Sequence, residues 1–303
     1  MTETLAIVGA GRVGKALGRC LHDLGWHLGV VTTRSIPTAR AAVRVIGAGH
    51  PVGQLTRRVL ASKVVLLATP DRVITGVSED LAQLGGNEWL GKVVLHTSGA
   101  LDCSALRALS DAGAETGSIH PMQTFSRQSV PKLAGTVFGI DGSPAALKVA
   151  RKIIRQMGGV PVRLSGGNKA AYHAAGSFAS GHVLAVMETA TRVLMAQGFT
   201  RRQAARALLP LTRQTLDNFE RMGPRAAWTG PMMRGDFVTV RRHADALSSF
   251  PSEHQDAYKA LSRLAATVLA DDSGAMLQKL DATFRPRPKG AENRRARSKS
   301  ATS

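Results

Sequence analysis

Six residues near the start, Gly9-Ala10-Gly11-Arg12-Val13-Gly14, have the types and spacing to cradle a phosphate. They follow an apolar run, Leu5-Ala6-Ile7-Val8, and open a helical stretch from Gly14 to Leu24. In that setting Gly9 permits a tight turn, Gly11 lets a pyrophosphate approach the backbone, and Gly14 lets helix and strand pack closely. A helix N-terminus adds unpaired N–H groups and a positive dipole end. The alternative is a glycine-rich turn that binds nothing. The strand-turn-helix context favours the dinucleotide reading.

The end of the second apolar run, Leu28-Gly29-Val30-Val31-Thr32, selects the nucleotide. A carboxylate there would hold a ribose 2′-hydroxyl. The chain has Thr32-Thr33-Arg34-Ser35 instead. Arg34 can fork onto a 2′-phosphate, with Thr33 and Ser35 as hydrogen-bond donors. The expected cofactor is therefore NADP(H), bound by Gly9, Ala10, Gly11, Arg12, Val13, Gly14, Thr33, Arg34 and Ser35. Ala68-Thr69-Pro70-Asp71 and Thr97-Ser98-Gly99 follow two later apolar runs, where a doubly wound sheet opens its ligand crevice. Ala68, Thr69, Pro70, Ser98 and Gly99 are expected to flank the ribose and nicotinamide. Asp71 serves equally well as an N-cap for a helix over Arg72 to Leu84.

A second constellation could move a proton. Residues 169, 173, 176, 180, 183, 187, 190 and 194 recur in steps of three and four and read Lys, His, Gly, Ser, Val, Met, Ala, Leu. That stripe predicts one helix whose C-terminal half is a buried seam and whose N-terminal half lines a cleft. Lys169 and His173, four apart, can reach one small ligand. A carbonyl or imine taking a hydride needs a proton or strong donor at the developing anion, which a lysine supplies. A first-turn surface lysine and a packing histidine are the alternative reading. His120, in Ser118-Ile119-His120-Pro121-Met122-Gln123-Thr124-Phe125, precedes a proline and is biased to an extended backbone. The run is expected to follow a strand, with His120, Met122 and Gln123 facing the substrate. The loop Thr229-Gly230-Pro231-Met232-Met233-Arg234-Gly235-Asp236 offers Arg234 to a carboxylate or phosphate and Asp236 as a helix cap.

These residues need a scaffold to position them. Continuous β-branched runs over 5–8, 28–32, 64–68 and 93–96, separated by helical stretches, predict a parallel sheet covered on both faces, which shorter runs over 136–140 and 160–164 are expected to finish. From Asn168 to Phe284 the pattern is helical. The expected fold is α/β: a doubly wound Rossmann-type sheet over 1–165, then an all-helical substrate and dimerisation domain over 166–284. The last residues, 285–303, carry seven Lys or Arg against Glu292, a net +6 of the chain's +19, and read as a disordered basic tail. The remaining positive charge suits a polyanionic cofactor. Aromatic residues are 4% and no nucleic-acid-binding signature stands out, so no specific nucleic-acid partner is expected. Two distant cysteines, Cys20 and Cys103, exclude a disulfide framework or cysteine metal site and suit the cytoplasm. The first residues read as a strand rather than a leader, and no apolar run spans a membrane.

Together, the Ser-Ile-His-Pro-Met-Gln-Thr-Phe run, Lys169-Ala170-Ala171-Tyr172-His173 and the Thr-Gly-Pro-Met-Met-Arg-Gly-Asp loop resemble the Rossmann-like oxidoreductases that carry the domain of unknown function 2520. The resemblance extends to about Phe284. It implies kinship with β-hydroxyacid dehydrogenases, pyrroline-5-carboxylate reductases and F420-dependent NADP oxidoreductases. In β-hydroxyacid dehydrogenases a catalytic lysine opens the first helix after the nucleotide domain, with an asparagine four residues on. Lys169 matches that lysine, and His173 stands at the asparagine position. Gly181 stands where a further asparagine is expected. The expected function is an NADP-dependent oxidoreductase acting on a small carbonyl, imine or hydroxy acid, assembled as a homodimer. A non-catalytic NADPH sensor or scaffold is the alternative.

Overall fold

The computed structural model describes residues 4–126, 131–164 and 168–286. The expected domain boundary at residue 165, and the basic tail from 287 onward, lie outside the described residues. Contacts divide the chain into two compact units, Met1–Val183 and Leu184–Ser303.

In the first unit, strands β1 (Thr4–Val8), β2 (His27–Thr32), β3 (His50–Val52), β4 (Val64–Leu67), β5 (Val93–His96), β6 (Glu115–Pro121), β7 (Val137–Gly142) and β8 (Val160–Arg163) form one eight-stranded sheet. Its order is β3-β2-β1-β4-β5-β6-β7-β8, and every pairing is parallel except β6 with β7. All four residues of β4 and of β5 are buried, as strands covered on both faces must be. One face packs on α1 (Arg12–Asp23), α2 (Ile36–Ile46) and, further along, α5 (Pro144–Gln156), with Leu17, Leu21, Ile46, Ile153 and Ile154 in the core. The other packs on α3 (Asp71–Gly85) and α4 (Arg107–Asp111), through Ile74, Leu81 and Leu109, with Trp89 alongside. Each fully buried Leu, Ile or Phe stabilises by about 1.5–3 kcal/mol, so both faces are held firmly. This is the doubly wound α/β fold, with its switch point between β1 and β4, where the chain leaves β1 in one direction and later returns on the other side.

Four local expectations are corrected. The short strand β3 was not anticipated; its His-Pro-Val sequence is too brief to show alternation. Ser118 to Pro121 do not follow a strand but belong to β6. Asp71 does not cap α3. Pro70 holds the N-cap position, and Asp71 is the first helical residue.

The fourth correction concerns the stripe from Lys169. The helix α6 (Lys169–Ser177), capped by Asn168 Oδ1 on the Ala171 N–H, gives way to a π-helical turn over Phe178–His182 before α7 (Val183–Ala196). The wider turn shifts the phase of the stripe. The expected buried seam is open: Val183 is exposed, Met187, Ala190 and Leu194 are half-buried, and Thr191 is the buried residue of α7.

In the second unit α8 (Arg201–Met222) starts at a capping box between Thr200 and Gln203. Of its 22 residues Ala204 is buried. After α9 (Pro224–Ala227), the helices α10 (Phe237–Leu247), α11 (Ser252–Leu269) and α12 (Ser273–Phe284) close around Met232, Val240, Ala266 and Leu280. Asp236 caps α10, as expected, by accepting from the Thr239 N–H at 3.0 Å.

Candidate active site

The glycine loop crosses the switch point. Gly9 turns with φ +83°, and a Cβ there would strike the Thr69 backbone nitrogen at 2.7 Å. A Cβ on Gly14 would strike the Gly9 carbonyl oxygen at 2.6 Å and the Ala68 side chain at 2.9 Å. Packing alone therefore requires both glycines. Gly11 differs: the nearest atom to its added Cβ is the Ala68 carbonyl oxygen at 3.9 Å. Among the described residues nothing fills that space, and no side chain caps the N-terminus of α1 that Gly11 precedes. Beside it the hydroxyls of Thr69 and Thr32 are buried without a hydrogen-bond partner among the described residues. Buried polar groups are rarely left unpaired. The free N–H groups, the open glycine and the orphaned Thr69 hydroxyl fit a dinucleotide pyrophosphate and ribose.

The flanks are as follows. Arg12 is exposed and donates from Nη1 to the Phe125 carbonyl oxygen at 2.9 Å. Val13 is half-buried, and Ala10 and Ala68 are buried. Thr33 donates its hydroxyl to the Ser35 carbonyl oxygen at 2.8 Å, and Ser35 Oγ lies 2.9 Å from Thr38 Oγ1. Those bonds order the turn after β2 and leave Arg34 exposed.

At the C-terminal end of β5 a polar network is buried. His96 is 0% exposed. Its Nδ1 accepts from the Ser98 N–H at 3.2 Å, so its Nε2 is the atom that donates, to the Asp102 carbonyl oxygen at 3.0 Å. Burial, and then the charge of Lys169, push its pKa down to about 4, so it is neutral. Ser98 donates its hydroxyl to Asp71 Oδ2 at 2.8 Å and accepts from the Ala100 and Leu101 N–H groups. Its carbonyl oxygen accepts from Lys169 Nζ at 3.0 Å. Every polar group of Ser98 is thus engaged.

Lys169 is 3% exposed and also donates to Ser118 Oγ at 2.7 Å. Burial lowers its pKa to about 8, while Asp141, Asp102 and Asp71 pull it back up. Asp141 stands opposite Ser118 in the β6–β7 pair and accepts from the Cys103 N–H at 3.0 Å. Burial and Asp141 push the Cys103 thiol up to about 11, so it is no nucleophile.

Two residues further along β6, His120 stands opposite Gly139 of β7. Tyr172, one turn along α6 from Lys169, seats its ring on Gly139, where a Cβ would meet the Tyr172 hydroxyl oxygen at 2.8 Å. The helix α6 therefore lies over the antiparallel pair, with Lys169 at Ser118 and Tyr172 at His120. His173 reaches Gly99: a Cβ on Gly99 would lie 2.4 Å from His173 Nδ1 and 2.7 Å from His120 Nε2. The two imidazoles meet edge to face, centroids 5.5 Å apart. Burial, then His173 and Lys169, lower the pKa of His120 to about 4.

The structure thus gathers Lys169, His173, His120, Ser98 and Gly99 in one cluster. Met122 lies near it, its Sδ 2.9 Å from an added Cβ on Gly176. Gln123 is exposed and accepts from the Thr124 N–H. Arg234 is an exposed turn residue of the second unit. The lysine is not the open-cleft residue expected from its stripe; it is buried, held by the Ser98 carbonyl oxygen and Ser118 Oγ. His96, Asp141 and Tyr172 were not singled out from sequence. For His96 and Asp141 a signal existed: each is a polar residue closing an apolar strand run. Among the described residues no group of three or more His, Cys, Asp or Glu is placed to hold a metal ion, and no helix is long and apolar enough to cross a membrane.

Fold and site together define a Rossmann-type protein with a helical C-terminal region. The family model of a Rossmann-like domain matches residues 3–121, and that of the domain of unknown function DUF2520 matches residues 136–265. The two matches follow one another along the chain, the Rossmann-like one first. Among solved structures it is similar to the protein TM1727 of Thermotoga maritima, at 26% identity over 87% of this chain and 98% of that one, TM-score 0.65. It is also similar to a reductive aminase from Aspergillus terreus solved with NADPH and ethyl-5-oxohexanoate, at 17% identity over 92% and 99%, TM-score 0.66. An imine reductase from Myxococcus stipitatus solved with NADP+ matches at 16% identity over 91% and 99%, TM-score 0.62. At 16–17% identity these two likenesses establish the shared fold. Among curated proteins none matches the chain.

Proposed function

We propose that this protein is an NADPH-dependent oxidoreductase that moves a hydride to or from a small carbonyl, imine or hydroxy acid. The observation that carries the reading is one crevice edge that offers two things. At β1 and β4 lie a glycine loop with space at Gly11 and an orphaned Thr69 hydroxyl. At the ends of β5 and β6, His120 and His173 meet at Gly99, and Lys169 bonds to the Ser98 carbonyl oxygen and Ser118 Oγ. The fold shared with a reductive aminase and an imine reductase, each solved with NADPH or NADP+, supports it.

When bound, NADPH supplies the hydride. The Gly9–Gly14 loop and the N-terminus of α1 hold its pyrophosphate. Arg34 reads the 2′-phosphate, with Thr33 and Ser35 shaping the turn. Ala68, Thr69, Pro70, Ser98 and Gly99 flank the ribose and nicotinamide. As the substrate carbon takes the hydride and its electron pair, the π pair of C=O or C=N moves to the heteroatom, which needs a proton. Lys169 supplies it. Two of its three N–H donors are engaged by Ser98 and Ser118, which leaves the third for the substrate. Its lowered pKa makes it a better acid near neutral pH than an ordinary lysine. His120 and His173 hold the heteroatom, and Met122 and Gln123 border the substrate.

Assembly is part of the proposal. Leu184 is 71% exposed, Leu211 66%, and Leu216, Phe219 and Met222 are also exposed on α7 and α8. Apolar surface on this scale marks an interface, and two-fold self-association is its commonest use. The homodimer is formed through the second unit, and the setting is the cytoplasm. A screen that follows NADPH absorbance against small ketones, ketone–amine mixtures and hydroxy acids tests the activity. Turnover of one class supports the reading, and NADPH binding without turnover across all of them favours a sensor or scaffold.

A further inference from the structure

The antiparallel turn of the sheet at β7 does more than extend it. It places Gly139 directly opposite His120, and the missing side chain opens a slot over that pair. Tyr172 fills the slot. Its hydroxyl lies 3.1 Å from His120 Nδ1 and 3.4 Å from the His120 carbonyl oxygen, and the two rings pack edge to face at 5.5 Å. Burial raises the pKa of Tyr172 above its ordinary value, so the phenol keeps its proton. The other nitrogen, Nε2, faces Gly99 on the side of His173.

A neutral imidazole has one N–H and one lone pair, and the partner of one nitrogen decides what the other presents. The shorter of the two contacts of the phenol is to Nδ1. From this geometry we propose that Tyr172 is a positioning residue: its hydroxyl donates to His120 Nδ1 and holds His120 as the Nε2–H tautomer, with that N–H turned toward the substrate. His120 then acts as a neutral hydrogen-bond donor that polarises C=O or C=N, and Lys169 remains the source of the proton. A neutral donor does not repel the ammonium of Lys169, whereas an imidazolium would. The same arrangement disfavours a substrate atom that carries hydrogen and no accessible lone pair. Carbonyl oxygens and unprotonated imine nitrogens, which offer a lone pair, are the acceptors it suits. This deepens the reductase reading and rests on it for the identity of that atom; the tautomer itself does not.

The test uses the full chain labelled with 15N-histidine, near neutral pH and saturated with NADP+. Long-range proton–nitrogen correlation distinguishes the two tautomers, and His120→Gln identifies the His120 signals. The wild type is expected to show a pyrrole-like Nε2 and a pyridine-like Nδ1. Tyr172→Phe removes only the hydroxyl and is expected to give a mixture of tautomers. Gly139→Ala displaces the Tyr172 ring and is expected to do the same. A wild type with the proton on Nδ1, or a Tyr172→Phe protein that keeps the wild-type pattern, overturns the proposal. Neither result depends on turnover, so failure of the reductase reading shows separately in the NADPH screen.

Discussion

Lys169 Nζ lies 2.7 Å from Ser118 Oγ, which ties the first turn of α6 to the middle of β6 across 51 positions of sequence. A buried ammonium is costly, and burial lowers the pKa of Lys169 accordingly. The helix that brings Lys169 there also carries Tyr172 and His173. The lysine is therefore both an anchor and the proposed acid, and the two roles separate by experiment.

Lys169→Met keeps the stem and removes the charge. It also removes the hydrogen bonds to the Ser98 carbonyl oxygen and to Ser118 Oγ, so the variant is expected to fold with a lowered Tm. It is expected to bind NADPH as the wild type does. Turnover of a substrate found in the screen is expected to fall by about 10²–10⁴-fold, the range for a positioned acid. Turnover near the wild-type rate refutes the assignment, and His120 then takes its place.

The neutral burial of His96 predicts a pH dependence of stability. Its pKa is about 4 in the folded chain and 6.5 when exposed. Between these values the unfolded chain binds the extra proton, so stability is complete above pH 6.5 and falls as pH drops through 4. The full shift corresponds to roughly 3 kcal/mol at 1.36 kcal/mol per unit. His120, shifted the same way, adds to the trend. Denaturant unfolding across this range is expected to show a shallower slope for His96→Gln than for the wild type. Parallel slopes would show that another group dominates.

The glycines of the loop separate packing from binding. Gly14→Ala forces a Cβ against the Gly9 carbonyl oxygen and is expected to lower Tm. Gly11→Ala meets nothing closer than 3.9 Å and is expected to leave Tm within error while NADPH affinity drops at least tenfold. Thermal shift and NADPH titration on both variants decide it. A Gly11→Ala protein with wild-type affinity contradicts the proposed binding mode.

The exposed apolar residues of α7 and α8 predict self-association. Sedimentation at micromolar concentration is expected to give a dimer, and Leu184→Glu with Leu211→Glu is expected to give a monomer. A monomeric wild type rules the interface out.

The sheet was legible because continuous runs such as Val64-Val65-Leu66-Leu67 have no amphipathic alternative in a covered parallel sheet. The glycine loop was legible because strand, turn and helix all fall in the required order. Lys169, His173 and His120 stood out by type and spacing, but their arrangement did not. It depends on β7 running antiparallel to β6, which sets Asp141 opposite Ser118 and Gly139 opposite His120. No local pattern encodes that pairing direction. The buried seam expected along residues 183 to 194 failed for another reason. Helical periodicity marks an apolar face without saying what covers it, and the π-helical turn shifted its phase.

The most direct test of the central claim is cofactor choice. Wild-type protein and Arg34→Ala are titrated with NADPH and NADH at one ionic strength. The wild type is expected to bind NADPH at least tenfold tighter than NADH. Loss of a hydrogen-bonded charge contributes about 1.5–3 kcal/mol, so Arg34→Ala is expected to weaken NADPH roughly tenfold to a hundredfold and to leave NADH nearly unchanged. Equal wild-type affinity for the two cofactors, or no binding of either, would contradict the account.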